Sequence, residues 1–444
     1  MSVAVDQDTR SRFLVQELEF LLENSGLSSS DLKCSDLVFG NPPSTFHLIR
    51  VNRAEKEERK PDEVKEESKP EEVKEEKDED HKKKEEEIVL DDIEEKFAEE
   101  SGRGEEQPPE ISEPVENQSL DLHTPNPLSS SRLSPKEKPR MLLLHGFGGS
   151  AASFYRLLGP LSEHFELVAA DLPGMGFNSR PDRPFDSLET CLDFFSSQIK
   201  ELADGLGWEK FNLLGHSVGA FLSAHFFDRN PSRIESLFLV SPAGFLNASE
   251  ESHRRAEARI AQRHWLQRLV LRKLQKEVLH NKRSPFEIKV PLIGNYIQEF
   301  LMKRFFSLQK GKVSPSQASA LSDLMRYHFS LPQSGERCAG YLLSGPTVSE
   351  APLLSVCRRH KDRLSDLRIF FGEKDHMEPD LTLKCLKDED LKVKAFSIPD
   401  SDHQVLFQNP EFLAKVVLRE AKGEESPGLI YPEPESTQLN RVEA

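Results

Sequence analysis

The segment Gly215-His216-Ser217-Val218-Gly219 sets a serine between two glycines at the spacing of a nucleophile elbow. An apolar run at 211–214 precedes it and a helical pattern at 220–227 follows, so the chain must pass from strand to helix with almost no loop. That turn forces Ser217 into a strained backbone conformation, and a Cβ at Gly215 or Gly219 would collide with the neighbouring strand and helix. It also lifts the Ser217 hydroxyl above the strand end, at the positive N-terminus of a helix. A hydroxyl so held can attack a carbonyl carbon once a base takes its proton. The bland alternative is an elbow kept only as structure, in a chain that no longer turns over a substrate.

A tetrahedral intermediate needs two backbone N–H donors aimed at its oxygen. Val218, next after the serine, is expected to supply one. Phe147 is expected to supply the other, from the run His145-Gly146-Phe147-Gly148-Gly149 that closes an apolar strand at 141–144. His145 is read as a brace for that loop rather than a base. The acid and the base should follow the serine in the order Ser, acid, His. Asp375 stands just past a strand at 367–371 (LRIFF), and His403 stands on the loop after a strand at 393–398, ahead of an amphipathic helix at 410–418. His403 would take the Ser217 proton and pass it to the leaving group, while Asp375 would orient the imidazole and stabilise its charged form. His376 comes too early for the base, and the Asp402 side chain adjoins the histidine it would have to reach. Glu373 is the most serious rival acid. A lone loop histidine is by default a solvated one; chain order and spacing single out His403.

The elements that must position these groups alternate. Strands at 141–144, 165–171, 211–214 and 237–240 are separated by helical patterns near 153–161 and 187–206, which implies parallel βαβ units and an α/β sheet. Earlier in the chain, Phe13, Leu14, Leu18, Leu21 and Leu22 recur at helical spacing within 10–23, and 44–52 alternates as a strand that could open the main domain. The glycines of DLPGMGFN make a tight turn, not a dinucleotide fingerprint. No P-loop or metal-ligand cluster is visible, and no cofactor is expected.

Composition bounds the rest. The chain has 444 residues, 36% hydrophobic and 30% charged, with net charge −17. That apolar share is below the usual 45–50% or so, so part of the chain is not core. The charge is concentrated: residues 53–100 hold 12 Lys or Arg against 23 Asp or Glu, in repeats such as EVKEESKPEEVKEEKDED. With nothing apolar to bury, such a segment is expected to stay a disordered, solvated spacer, and 103–138, rich in Pro and Ser, to continue it as linker. The longest uncharged apolar stretch, 236–249, is short of the roughly 18 residues a membrane span needs. Asp6 and Asp8 argue against a secretory leader. Five widely spaced cysteines without a CxxC pair fit a reducing, cytoplasmic setting with neither a disulfide framework nor a zinc site.

With these motifs in view, residues 140–245 and 364–418 resemble the α/β-hydrolase-fold serine hydrolases. More narrowly, the chain resembles the lipid-directed α/β-hydrolase-domain family of the 4/5 type, which contains N-acyl-phospholipid lysophospholipases, cardiolipin deacylases and a lipase coactivator. The resemblance rests on HGFGGS at 145–150, DLPGMGFNSRP at 171–181, GHSVGAFLSA at 215–224, NPSRIESLFLVSPAGF at 230–245 and SGERCAGYLLSGP at 334–346. It implies that Ser217, Asp375 and His403 fall on the family's triad. The coactivator members lack the nucleophilic serine, whereas Ser217 is present here. Many members carry Asp five positions after the histidine, a pattern linked to acyltransferase activity; here that position is Gln408. Epoxide hydrolase and dehalogenase relatives place Asp where Ser217 stands.

The resemblance also implies a cap over the site, and strand signals do stop between 245 and 364. The expected organisation is an N-terminal helix and candidate first strand (1–52), an acidic insert or linker (53–137), a first core part (138–245), a helical cap (246–363), a second core part (364–422) and a loose tail (423–444). Residues 252–283 read as a helix with ten Lys or Arg against Glu257 and Glu277, and with Trp265, Leu266, Leu269, Val270, Leu274 and Val278 as its apolar face. Such a helix can lie on an anionic membrane or lipid-droplet surface, or can be an ordinary cap helix with its cations in water. The apolar stretch 291–306 could line an acyl pocket. The acidic balance and lack of a binding module argue against nucleic acid. The expectation is thus a serine hydrolase cleaving a carboxylic ester, with a phospholipid or lysophospholipid implied by the resemblance. A catalytically weak lipid-surface interaction protein or lipase regulator, and a phospholipid acyltransferase, stay open as alternatives.

Overall fold

The computed structural model describes residues 7–39, 44–51, 138–182, 184–262, 265, 268, 272–273, 275–287, 311–345 and 348–431. The acidic segment expected at 53–137 and the apolar stretch at 291–306 lie outside them, as do parts of the basic cap segment. The strands are β1 (Leu32–Phe39), β2 (Ser44–Val51), β3 (Arg140–Leu144), β4 (Glu166–Ala170), β5 (Phe211–His216), β6 (Ile234–Val240), β7 (Leu246–Asn247), β8 (Val348–Ser349), β9 (Leu367–Gly372), β10 (Lys394–Ile398) and β11 (Leu429–Tyr431). All but β7 and β8 join one nine-stranded sheet, in the order β1-β2-β4-β3-β5-β6-β9-β10-β11. The six strands from β4 to β10 run parallel, and β1, β2 and β11 add antiparallel edges.

The central strands β3, β5, β6 and β9 are mainly apolar, with polar residues toward their ends (Arg140, Asn212, His216, Glu235, Ser236 and Arg368), because both faces of the sheet are covered. Leu142 and Leu144 of β3 enter one core while Met141 and Leu143 enter the other. Helices Leu188–Gly205, Val218–Arg229, Leu353–Arg359 and Pro379–Asp388 line the first face; helices Gln7–Asn24, Tyr155–Ser162 and Pro410–Lys422 line the second. Helix ends follow local chemistry. Ser187 accepts from the Thr190 N–H, Asn409 accepts from the Phe412 N–H, and Gly423, at φ 71°, closes the last helix.

The expected N-terminal helix and the expected strand at 44–52 both take part, and β2 pairs with β4. Three expectations need correction. Strand β1 was not foreseen: Leu32 to Ser35 alternate, but Asp36 then falls on the apolar face and Leu37 and Phe39 on the polar one, which an edge strand tolerates because water reaches part of it. The tail expected to be loose from 423 instead adds β11, which pairs with β10 and covers that sheet edge. The cap is not helical throughout, since β7 pairs with β8 in parallel. Its helix Leu353–Arg359 also belongs to the core layer, tied to the chain after β6 by Leu353 N–H to Gly244 O (3.1 Å) and Leu354 N–H to Phe245 O (3.1 Å).

The basic cap segment contains helix Glu250–Ala261 and a π turn at Lys276–His280. A second cap helix, Pro315–Ser330, begins at a capping box between Ser314 and Gln317 and stacks Tyr327 on Phe13 of the N-terminal helix, with ring centroids 4.3 Å apart. The motifs quoted at 171–181 and 334–346 prove to be one packed unit. Arg180 Nη1 meets Glu336 Oε1 at 2.8 Å, both side chains buried, and the Gly335 N–H donates to Gly174 O at 3.0 Å. No described helix is long and apolar enough to cross a membrane.

Candidate active site

Strands β3, β5, β9 and β10 all end on the same edge of the sheet, which is where an open parallel sheet gathers ligand-facing loops. At the end of β5 the chain makes the expected elbow. Ser217 takes φ 55° and ψ −117°, outside the regions comfortable for a side chain, and its N–H donates to Val240 O at 2.9 Å. A Cβ on Gly215 would overlap the Gly219 carbonyl and Ala220; one on Gly219 would overlap the carbonyls of Leu144 and His145. The glycines therefore let the helix start pack directly beneath the loop after β3.

That loop carries Phe147. His145 anchors it: Nδ1 donates to Gly146 O at 2.7 Å, and Nε2 accepts the Leu172 N–H at 2.9 Å. The two bonds fix one neutral tautomer, and burial pushes the imidazole down to about 4. A Cβ on Gly146 would press on His216 Nδ1 and Ser217 Cβ, so the loop lies against the elbow. Neither the Phe147 N–H nor the Val218 N–H donates to another protein group among the described residues.

Asp375 and His403 come from the turns after β9 and β10. Glu373 N–H donates to Ile398 O (3.0 Å) and Lys374 N–H to Ser401 O (2.9 Å), and Gly372 gives the Asp402 carbonyl room that a Cβ would fill. These bonds lace the two turns together. His403 Nε2 lies 3.0 Å from Ser217 Oγ, and Nδ1 lies 3.3 Å from Asp375 Oδ1. All three residues are at least nine-tenths buried. Burial pushes the Asp375 carboxyl up, but the His403 hydrogen bond and charge, the Ser241 hydroxyl and the Met377 N–H outweigh it and hold the group below the ordinary Asp value. The arrangement can move a proton from Ser217 Oγ to His403 Nε2 while Asp375 faces the imidazolium that forms.

The rivals face elsewhere. Glu373 is exposed and accepts the Asp400 N–H at 3.2 Å. Asp402 Oδ1 accepts the Gln404 N–H at 2.8 Å. His376 is more than half exposed, with Nδ1 4.0 Å from Asp375 Oδ1. Sequence reasoning missed His216, the residue before the serine. Its Nε2 donates to the His403 carbonyl at 2.9 Å, and burial, with the neighbouring His403, pushes its own imidazole down to about 3. It is a fixed neutral donor that pins the backbone of the base, and its place inside the elbow motif was the available signal.

Two groups bring ligand-type atoms within 4.8 Å of one another: Asp375, His376 and His403, and Glu17, Cys34 and His47. In each, the central histidine is already bonded on both nitrogens, His403 to Ser217 and Asp375, His47 to Glu17 (2.6 Å) and Asp36 (3.0 Å).

The sheet order, the elbow after β5 and the loops that converge on it define an α/β-hydrolase fold, and residues 139–289 match the family model for the alpha/beta hydrolase fold. Within that fold the chain resembles the α/β-hydrolase-domain group of the 4/5 type. It is 41% identical over 108 residues to the human protein named 1-acylglycerol-3-phosphate O-acyltransferase ABHD5, covering 24% of this chain and 31% of that one. It is 34% identical over 140 residues to the (lyso)-N-acylphosphatidylethanolamine lipase of Mus musculus, covering 31% and 41%. It is 25% identical over 279 residues to the 1-acylglycerol-3-phosphate O-acyltransferase of Arabidopsis thaliana, covering 61% and 64%. The chain thus spans less than two thirds of each of these relatives.

Proposed function

We propose that the protein is a serine hydrolase that cleaves the carboxylic ester of a lipid, most directly a phospholipid or lysophospholipid, through an acyl-Ser217 intermediate. The observation that carries the reading is the contact of His403 Nε2 with Ser217 Oγ at 3.0 Å, with Asp375 at the far nitrogen. Ser217 Oγ attacks the ester carbonyl while His403 takes its proton. The oxyanion accepts from the Phe147 and Val218 N–H groups. His403 returns the proton to the departing alkoxide, then activates water to release the acyl group. The lipid assignment draws on the lipid-directed names of the relatives.

Fluorophosphonate labelling tests the chemistry. Wild type should react covalently and Ser217→Ala should not; labelling that survives the substitution removes the nucleophile assignment. Hydrolysis of lysophosphatidylethanolamine by wild type but not by Ser217→Ala tests the lipid.

A second reading, acyl transfer to a lysophospholipid, is favoured by the acyltransferase names of two relatives. Against it, the position five after His403 is Gln408, whose Oε1 accepts the Asp402 N–H and so serves the loop itself. Supplying 1-acylglycerol-3-phosphate together with an acyl-CoA separates the two: a hydrolase releases free fatty acid without forming the diacyl product. The cap also suits a lipid surface. Arg254, Arg272, Lys273 and Lys276 are exposed, and Trp265 in the same segment is 61% exposed. Sedimentation with liposomes should increase with anionic lipid and fall when the Lys and Arg of 254–283 become Ala; binding indifferent to both changes rejects this surface.

A further inference from the structure

Two buried polar atoms in the site have no hydrogen-bond partner: Asp375 Oδ2, an acceptor, and Ser241 Oγ, which can donate. They sit on adjoining strand ends. Ser241 follows β6, Asp375 follows β9, and the two strands pair in parallel up to Val240 and Phe370. Ser241 N–H donates to Phe370 O at 2.7 Å, which carries the residue across toward the β9 turn. Its hydroxyl is among the groups that lower the Asp375 carboxyl, in keeping with this placement. A buried orphan donor beside a buried orphan acceptor is unfavourable for both, and turning one toward the other satisfies both.

The backbone at this point adds a second argument. Ser241 is completely buried and has φ 47°, a conformation open to glycine at little cost and strained for serine. Apart from the smaller entropy that serine loses on folding, its hydroxyl is what sets it apart from glycine here. The neighbouring Ala243 N–H donates to Ser217 O at 3.2 Å, so the same short segment braces the elbow on one side and meets the acid on the other.

We propose that Ser241 is a positioning residue: its hydroxyl donates to Asp375 Oδ2 and holds the carboxylate so that Oδ1 faces His403 Nδ1. Met377 N–H, at 3.1 Å from Oδ1, fixes the other edge of the same carboxylate. Ser241 touches no reacting atom. It acts through Asp375, and the inference rests on the hydrolase reading only for its consequence in turnover.

The informative variant is Ser241→Gly, which removes the hydroxyl and relieves the backbone, so the full-length protein should melt no lower than wild type. With p-nitrophenyl butyrate as the probe, kcat should fall about tenfold, the size expected for one hydrogen bond to a charged group, with KM nearly unchanged. The acid limb of kcat/KM should move to higher pH, because a carboxylate with one fewer donor draws the imidazole proton more strongly. In an Asp375→Asn background the same change should have little further effect; an equal loss in both backgrounds marks a merely structural role and overturns the proposal. A measurement independent of turnover is the low-field proton resonance of His403 Nδ1–H, which Ser241→Gly should shift. An unmoved resonance in a protein that labels with fluorophosphonate sinks Ser241 alone. A shifted resonance in a protein that does not label leaves Ser241 standing and sinks the hydrolase reading.

Discussion

Two histidines in this molecule are each held between two oxygen-bearing partners, and they do opposite things. His403 lies between a carboxylate and a hydroxyl, on the turn after β10, buried but for 9% of its surface. His47 lies between two carboxylates, Glu17 of the N-terminal helix and Asp36 of β1, and is all but fully buried. Burial alone would lower the His47 value, but Glu17 and Asp36 outweigh it and raise the imidazole to about 10. His47 is therefore a standing cation that ties the first helix to the first hairpin. His403 has a single carboxylate and a partner with a proton to give, which leaves it able to take that proton and release it again. Residue type makes both arrangements, and the second partner decides which of them can do chemistry.

Removing the acid from the first arrangement gives the largest expected effect. Asp375→Asn should cut kcat by about 10⁴-fold with little change in melting temperature, measured by ester hydrolysis and by thermal unfolding. If it instead unfolds the protein while leaving the specific activity of the folded fraction intact, the contrast collapses. Removing the cation from the second gives a smaller effect on a different quantity. His47→Gln strands the buried Glu17 carboxylate and should destabilise by about 3–5 kcal/mol in urea unfolding, with kcat of the folded protein unchanged. The smallest effect is a slope. The folded protein holds the His47 proton more tightly than the unfolded chain, so its stabilisation is complete below the ordinary value of 6.5 and is lost as pH rises through about 10. The His47 contribution should decline across that window by at most about 1.4 kcal/mol per pH unit, read as the difference in stability between wild type and His47→Gln. Asp171, which burial pushes up to about 6, titrates below the window and leaves the slope untouched.

The candidate site was legible because the elbow and the turns after the strands hold residues whose identity the backbone dictates. Gly215, Ser217 and Gly219 are set by a turn that admits few alternatives, and Asp375 and His403 announce themselves by chain order after two apolar runs. The central strands were legible because their apolar runs (141–144, 213–214, 237–240 and 369–371) stand out from the helical patterns between them. What stayed hidden lies where one side of the chain meets water or where two distant segments meet. Strand β1 mixes polar and apolar residues on both faces, and β11 is three residues in a polar tail. Glu17 interrupts an apolar helix face for the sake of a histidine 30 positions away, and Arg180 is matched by a glutamate 156 positions away. His216 acts on the backbone of His403, 187 positions away, and only its place inside the elbow hinted at it.

The route of the chain around the sheet has one more implication. It leaves β2 at Val51, which pairs with Leu167, and returns in β3 at Arg140, which pairs with Glu166. Both points flank the beginning of β4, two strand spacings or about 10 Å apart, at the end of the sheet remote from the serine. Whatever lies between them is, topologically, a detour that a few residues could bridge. Cutting its length about tenfold should return only about 2 kcal/mol of closure entropy. The interval between β2 and β3 thus leaves and re-enters the sheet at the rim opposite the strand ends that carry Ser217, Asp375 and His403.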